Sequence, residues 1–151
     1  MKHSLLPYVV LVLLTLSVTT AIAQNEGSKP KLFAGFPDKL DCTTTVLSQA
    51  FAATQDQDAA LGFSANFLFS GKVISNTVKY STLQTMVIRS AAFSDAIFVL
   101  SKITNADNSV EYKGRIVNTK YADGYELKKD EKGNYQLVKF ETDKVLQDCK
   151  Q

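Results

Sequence analysis

FSANFLFSGKVISNTVKY, residues 63–80, is where the chain changes its repeat from helical to alternating. Phe63, Ala65, Phe67, Phe69, Gly71 and Val73 fall on one face of an extended backbone, and Ser64, Asn66, Ser70 and Lys72 fall on the other. The pattern predicts a strand that continues through Ile74, Val78 and Tyr80 and exchanges its apolar face after Gly71. A glycine inside a strand marks a bulge, a bend or a close approach. For Gly71, and for Gly114 further on, a bend of the sheet is the reading adopted over a ligand groove.

Five more segments toward the C-terminus read as strands: 83–89, 96–104, 109–118, 124–129 and 135–140. The turn signals between them are Ser94-Asp95, the run Asn105 to Asn108, Asp123-Gly124 and Lys132-Gly133-Asn134. Connections this short join antiparallel strands, because a parallel crossover needs a dozen residues or more. The tail TDKVLQDCK spaces Val145, Leu146 and Cys149 as a short C-terminal helix would.

Toward the N-terminus, Leu40, Leu47 and Phe51 stand at helical spacing, with Val46 and Ala50 beside them. This predicts a helix over about residues 39–54, with Asp38 as its N-cap behind Pro37 and a weak first turn at Thr43, Thr44 and Thr45. Residues 55–60 continue the helix or form a loop. Residues 24–37 read as a flexible leader, with Leu32, Phe33 and Phe36 laid onto the domain. The fold expected is therefore α+β: an N-terminal helix packed on a curved antiparallel sheet of about six strands, with a short C-terminal helix. An internal similarity, FSGKVISNTVKY at 69–80 against YKGRIVNTKY at 112–121, suggests two three-stranded units.

The first 23 residues have the form of a secretory signal peptide. Lys2 precedes an apolar run from Leu5 to Val18, and Ala21-Ile22-Ala23 supplies the small residues of a cleavage site. The run is too short and too diluted by threonine for a membrane anchor, which needs about 20 apolar residues. Cleavage after Ala23 leaves 128 residues, the size of one domain over 38–151 with its leader, placed in a secreted or periplasmic compartment. No membrane span is expected in the mature chain. With Lys2 gone, 16 basic side chains face 15 acidic ones, which argues against nucleic acid as a partner. Cys42 and Cys149 are the only cysteines, and in an oxidising compartment two such residues pair, so a disulfide between them is expected.

The lone histidine, His3, leaves with the signal. The mature chain then has no imidazole for a nucleophile system or a metal site, and it carries no phosphate or dinucleotide loop. No catalytic, metal or cofactor-binding residue is named on this basis. What remains is carboxylate chemistry, for which the candidates are Asp56 with Asp58, Glu111, Asp123 and Glu126. With no tryptophan, the phenylalanines and tyrosines supply the bulky core, and Tyr121 and Tyr125 beside Asp123-Gly124 are the aromatics expected at an exposed binding surface. The function expected is an exported, non-enzymatic module that binds a small apolar ligand or a protein partner of unknown identity. The alternatives are a carboxylate-dependent hydrolase and a structural, envelope-associated protein.

Overall fold

The computed structural model describes residues 29–142. They form one antiparallel sheet of eight strands: β1 (Lys39–Cys42), β2 (Asp58–Ser64), β3 (Phe67–Tyr80), β4 (Leu83–Ser90), β5 (Ala96–Thr104), β6 (Val110–Val117), β7 (Asp123–Lys129) and β8 (Tyr135–Glu141). A single short helix, α1 (Thr44–Ala50), lies between β1 and β2. From β2 to β8 every strand pairs with the next in sequence, β1 adds to the far edge of β8, and the sheet curls until β1 approaches β2 as a nearly closed barrel.

This corrects the expected α+β architecture of a long helix on six strands. The N-terminal part of the expected helix is a strand. Leu40 and Cys42 point inward and Lys39 and Asp41 outward, a period of two, and Leu40 lies opposite Leu137 of β8. Only Thr44–Ala50 is helical, with Thr43 rather than Asp38 as N-cap, its hydroxyl accepting from the Val46 N–H at 3.3 Å. A threonine before the first turn is a better cap than a helix former, so the three threonines delay the helix rather than begin it. Asp38 instead pairs with Lys139 at 3.1 Å. The expected C-terminal helix lies outside the described residues, as does the signal peptide.

The stretch 63–80 is two strands rather than one. Ala65 and Asn66 form the turn of a hairpin, so Phe63 ends β2 and Phe67 begins β3, and both rings point inward with centroids 6.1 Å apart. The turn is only two residues long and leaves Phe63 and Phe67 in phase, so the alternating pattern runs through it unbroken. Asp58–Ala60, left between helix and loop, opens β2. The remaining strands agree with the sequence reading to within one or two residues, except that Asp123-Gly124 begins β7 instead of making a turn.

Gly71 sits where β3 bears directly on β4. A Cβ there would lie 2.1 Å from the Arg89 carbonyl oxygen, so no other residue allows this approach. Just beyond, the pairing shifts register between Val73 and Ser75, and β3 runs past the end of β2. There Asn76 fastens the sheet to the segment after α1. Its amide N–H groups donate to the carbonyls of Phe51 at 3.0 Å and Ala53 at 2.8 Å, and its oxygen accepts from Gln84.

Alternation drives one residue in two of each strand into the barrel, and those residues are large. Phe67, Phe69, Val73, Met86, Ile88, Phe98, Leu100, Ile116, Tyr125 and Leu137 are all fully buried. Eight strands enclose a space just wide enough for such side chains to fill it. At one end, the leader's Phe33 and Phe36 and the β4–β5 turn's Phe93 complete an aromatic plug: Phe93 stacks on Phe67 at 5.3 Å and on Phe69 at 5.7 Å, and Phe33 meets Tyr125 edge-on at 5.1 Å. The other end is closed by α1 through Leu47 and Ala50.

The leader is held by a buried carboxylate. Asp123 is 1% exposed, and its two oxygens accept the backbone N–H groups of Leu32 at 2.6 Å and Phe33 at 3.0 Å. The Tyr125 hydroxyl donates to the Pro37 carbonyl, and Lys139 Nζ donates to that of Phe36 at 2.7 Å. One seam of the barrel wall is thin. Between β6 and β7 only Arg115 with Glu126 and Ile116 with Tyr125 are in register. Beyond them the Tyr112 N–H donates across the barrel to the Tyr135 hydroxyl at 3.0 Å instead of to a neighbouring strand.

Candidate functional site

Large side chains fill the core, and several depressions lie on the outside. One of about 570 Å³ runs over β2, β3 and the β4–β5 turn, and its charged rim of Asp58, Lys72, Arg89 and Asp95 mixes both signs. A smaller recess, about 230 Å³, has the more apolar walls and lies over β6–β8.

This smaller recess is built by local rules. Val117 closes β6 facing outward, the chain turns through Asn118–Tyr121, and β7 starts at Asp123. Asn118 fixes the turn: its amide donates to the Ser94 carbonyl at 2.6 Å, and its oxygen accepts the Lys120 N–H at 3.0 Å. Tyr121 stands half-buried at the recess wall, its hydroxyl 3.3 Å from that of Ser94. Phe140 of β8 supplies the opposite wall. Its ring can lie on the backbone because the next strand presents Gly124, where a Cβ would come within 3.1 Å of that ring and 2.5 Å of the Ile116 carbonyl oxygen.

Arg115 and Lys29 border the same recess, and among the described residues no carboxylate lines it. The Arg115 guanidinium lies 5.1 Å above the Phe140 ring centre and bonds Glu126 at 2.6 Å. Glu126 also meets Lys128 at 3.4 Å. The Arg115 hydrogen bond is the main reason that the Glu126 carboxyl is held below the usual carboxylate range.

The two tyrosines expected at an exposed surface differ in burial, Tyr121 being half-buried and Tyr125 fully buried. Tyr121 borders the recess. Tyr125 is buried to 0% exposure in the aromatic core, because the Asp123-Gly124 pair that resembled a turn is the first part of a strand. Burial, with Asp38 and Asp123 nearby, pushes the Tyr125 hydroxyl up to about 12. Val117, Arg115 and Phe140, the other walls, carried no signal in the sequence; their meeting depends on the β6–β7–β8 register.

The candidate acids do not converge. Asp123 is committed to the leader and Glu126 to Arg115 and Lys128, while Glu111 lies 3.6 Å from Lys113. Asp56 and Asp58 are exposed, Asp56 in a left-handed turn at φ 66°. Among the described residues no group of three or more Cys, Asp or Glu side chains gathers as a metal site would require. Nor is any helix of the described residues long and apolar enough to cross a membrane.

Cys42 is a buried thiol whose S–H donates to the Leu40 carbonyl at 3.7 Å. Burial pushes it up to about 12. No disulfide is present among the described residues, and Cys149 lies outside them. No protein-family model, curated protein or solved structure matches this chain.

Proposed function

We propose that the chain is an exported, non-catalytic binding module that takes a small apolar group in the recess between Val117, Tyr121 and Phe140. The observation that carries this reading is the recess itself, an apolar concavity of about 230 Å³ on the outside of the barrel. Its volume is below the roughly 300–1,000 Å³ of pockets that hold drug-sized molecules, so it suits a single ring or one anchoring group. The engagement of Asp123 with the leader and of Glu126 and Glu111 with neighbouring cations favours binding over hydrolysis, because a paired-carboxylate mechanism needs two acids facing each other across a cleft. Export rests on the signal-like first 23 residues.

Native mass spectrometry on protein recovered from the exported fraction of its host tests both halves. The expected result is a chain beginning at Gln24 that carries an excess mass, lost on denaturation and absent from a Val117→Trp variant in which an indole fills the recess. An intact N-terminus in the cytoplasmic fraction overturns export. A bare mass, or an excess that Val117→Trp retains, overturns binding at this recess.

A further inference from the structure

The depression over β2, β3 and the β4–β5 turn carries charges that the fold itself does not use. Lys72 of β3 lies directly opposite Asp58 of β2 on one side and Arg89 of β4 on the other. Asp95 lines the same depression from the β4–β5 turn, next to the Ala96 that pairs with Ser90, the residue after Arg89. All four side chains are exposed, two cations with an acid on either side. We propose that this depression binds an α-amino acid with an apolar side chain, its carboxylate received by Lys72 and Arg89 and its ammonium by Asp58 or Asp95. The site is separate from the recess over β6–β8 and stands or falls without it.

The charges are unmatched. Like charges directly opposite on neighbouring strands are destabilising, yet Lys72 and Arg89 face one another. Among the described residues neither forms an ion pair, and the Lys72 Nζ instead donates to the backbone carbonyl of Asp56 at 3.5 Å. Asp58 and Asp95 have no ion-pair partner among the described residues either, although both cations border the same depression. The depression beside the leader differs in this respect, since its Lys31 bonds Glu141 and its Lys139 bonds Asp38. Two charges of each sign leave no surplus to draw in a plain anion or a plain cation. They do match both ends of a zwitterion.

The geometry suits a small one. Neighbouring strands lie about 4.8 Å apart, so Lys72 and Arg89 leave the sheet side by side and one carboxylate can bridge them. A guanidinium meets a carboxylate through two parallel N–H bonds, which fixes the ligand's orientation as well as its charge. The volume of about 570 Å³ falls within the roughly 300–1,000 Å³ of small-molecule sites. Small residues keep the floor low. Gly71 can carry no side chain, because a Cβ would lie 2.1 Å from the Arg89 carbonyl oxygen, and Ala60, Ala91 and Ala92 present only methyl groups. Ile74, 37% exposed, offers the apolar contact for the ligand's side chain.

The test is an amide chemical-shift titration of the isotope-labelled protein at low ionic strength with leucine and two analogues that each lack one charge. The analogues are 4-methylpentanoate, without the ammonium, and 3-methylbutylamine, without the carboxylate. The expected result is saturable shifts at Asp58, Lys72, Arg89 and Asp95, with each analogue binding about fivefold more weakly than leucine, as the loss of an exposed charge pair implies. Arg89→Met should close the gap between leucine and 3-methylbutylamine, and a combined Asp58→Asn and Asp95→Asn variant the gap between leucine and 4-methylpentanoate. These side chains are exposed, so amides outside the depression should keep their positions in every variant. Absence of saturable shifts with leucine overturns the inference. So does equal binding of leucine and either analogue to the unaltered protein, or a preference that the variants leave intact. None of these results bears on the recess over β6–β8, which the native-mass experiment decides.

Discussion

Replacing Asp123 by alanine removes the carboxylate that holds the Leu32 and Phe33 amides of the leader at the barrel end. Both of its oxygens accept backbone N–H groups, from Leu32 and Phe33, in a place with 1% exposure. Hydrogen bonds to a charged group contribute about 1.5–3 kcal/mol each, so losing two with the leader still docked would cost about 3–6 kcal/mol. Undocking offers the chain an escape. It exposes Phe33, whose burial is worth about 1.5–3 kcal/mol, and frees several residues that regain about 1–2 kcal/mol each of backbone entropy. The smaller route sets the outcome, and we expect a loss of about 3 kcal/mol for Asp123→Ala and about 2 kcal/mol for Asp123→Asn, which keeps one acceptor oxygen. Domains of this size are stable by about 5–15 kcal/mol, so the variants still fold. Urea denaturation followed by far-ultraviolet circular dichroism gives the free energy. Hydrogen exchange at Leu32 and Phe33 gives its location, with protection at these two amides falling first. A change under about 1 kcal/mol with both amides still protected would refute the reasoning, because it would mean that Asp123 is not what holds the leader.

Four other outcomes follow from particular groups. Ser90 is fully buried and its hydroxyl has no hydrogen-bond partner, so Ser90→Ala should leave stability unchanged or raise it by up to about 1 kcal/mol; a clear loss in urea denaturation would point to a partner for the hydroxyl. In a Cys149→Ser variant the Cys42 thiol, raised from 9.0 to about 12, should react with iodoacetamide at pH 8 about a thousandfold more slowly when folded than in urea. Cys42 and Tyr125 both keep their protons to higher pH when folded than when unfolded. Their contribution is therefore complete below pH 9 and is lost as pH rises from 9 toward 12, by up to about 1.4 kcal/mol per pH unit for each group; a pH series of melting curves should show the decline beginning near pH 9–10. Cys42 and Cys149 are expected to pair, and mass mapping of the non-reduced protein checks it: a linked peptide pair supports the bond, and two free thiols overturn it.

The strands after residue 83 were legible because each alternates cleanly and is bounded by residues that favour turns, such as Ser94, Asp95 and Asn108, all of which adopt positive φ. Legibility failed where two periods compete. Leu40, Leu47 and Phe51 fit a helix by spacing, but Leu40 and Cys42 are drawn into β1 by an open edge on β8 that local pattern cannot reveal. It failed again at Ala65-Asn66, where a turn is made without glycine or proline, and at Asp123-Gly124, where turn-like residues serve a buried strand. Tyr121 borders a turn, as its neighbours Asp123-Gly124 suggested, although the turn is Asn118–Tyr121 and not Asp123-Gly124. Its partners at the recess were not legible, for Val117 and Phe140 meet only through strand register, and Lys29 and Arg115 are two scattered cations until the barrel brings them to one recess.

The grip of Asp123 on Leu32 and Phe33 has a consequence for the order of events during synthesis. The plug residues are among the first of the described chain to leave the ribosome, yet their acceptor follows about 90 positions later, and β1 waits longer still for β8. The hairpins from β2 to β5 need only neighbours and can form on emergence, whereas both ends of the barrel close last. Until Asp123 has been made, Leu32 and Phe33 lack the acceptor that fixes them at the barrel end.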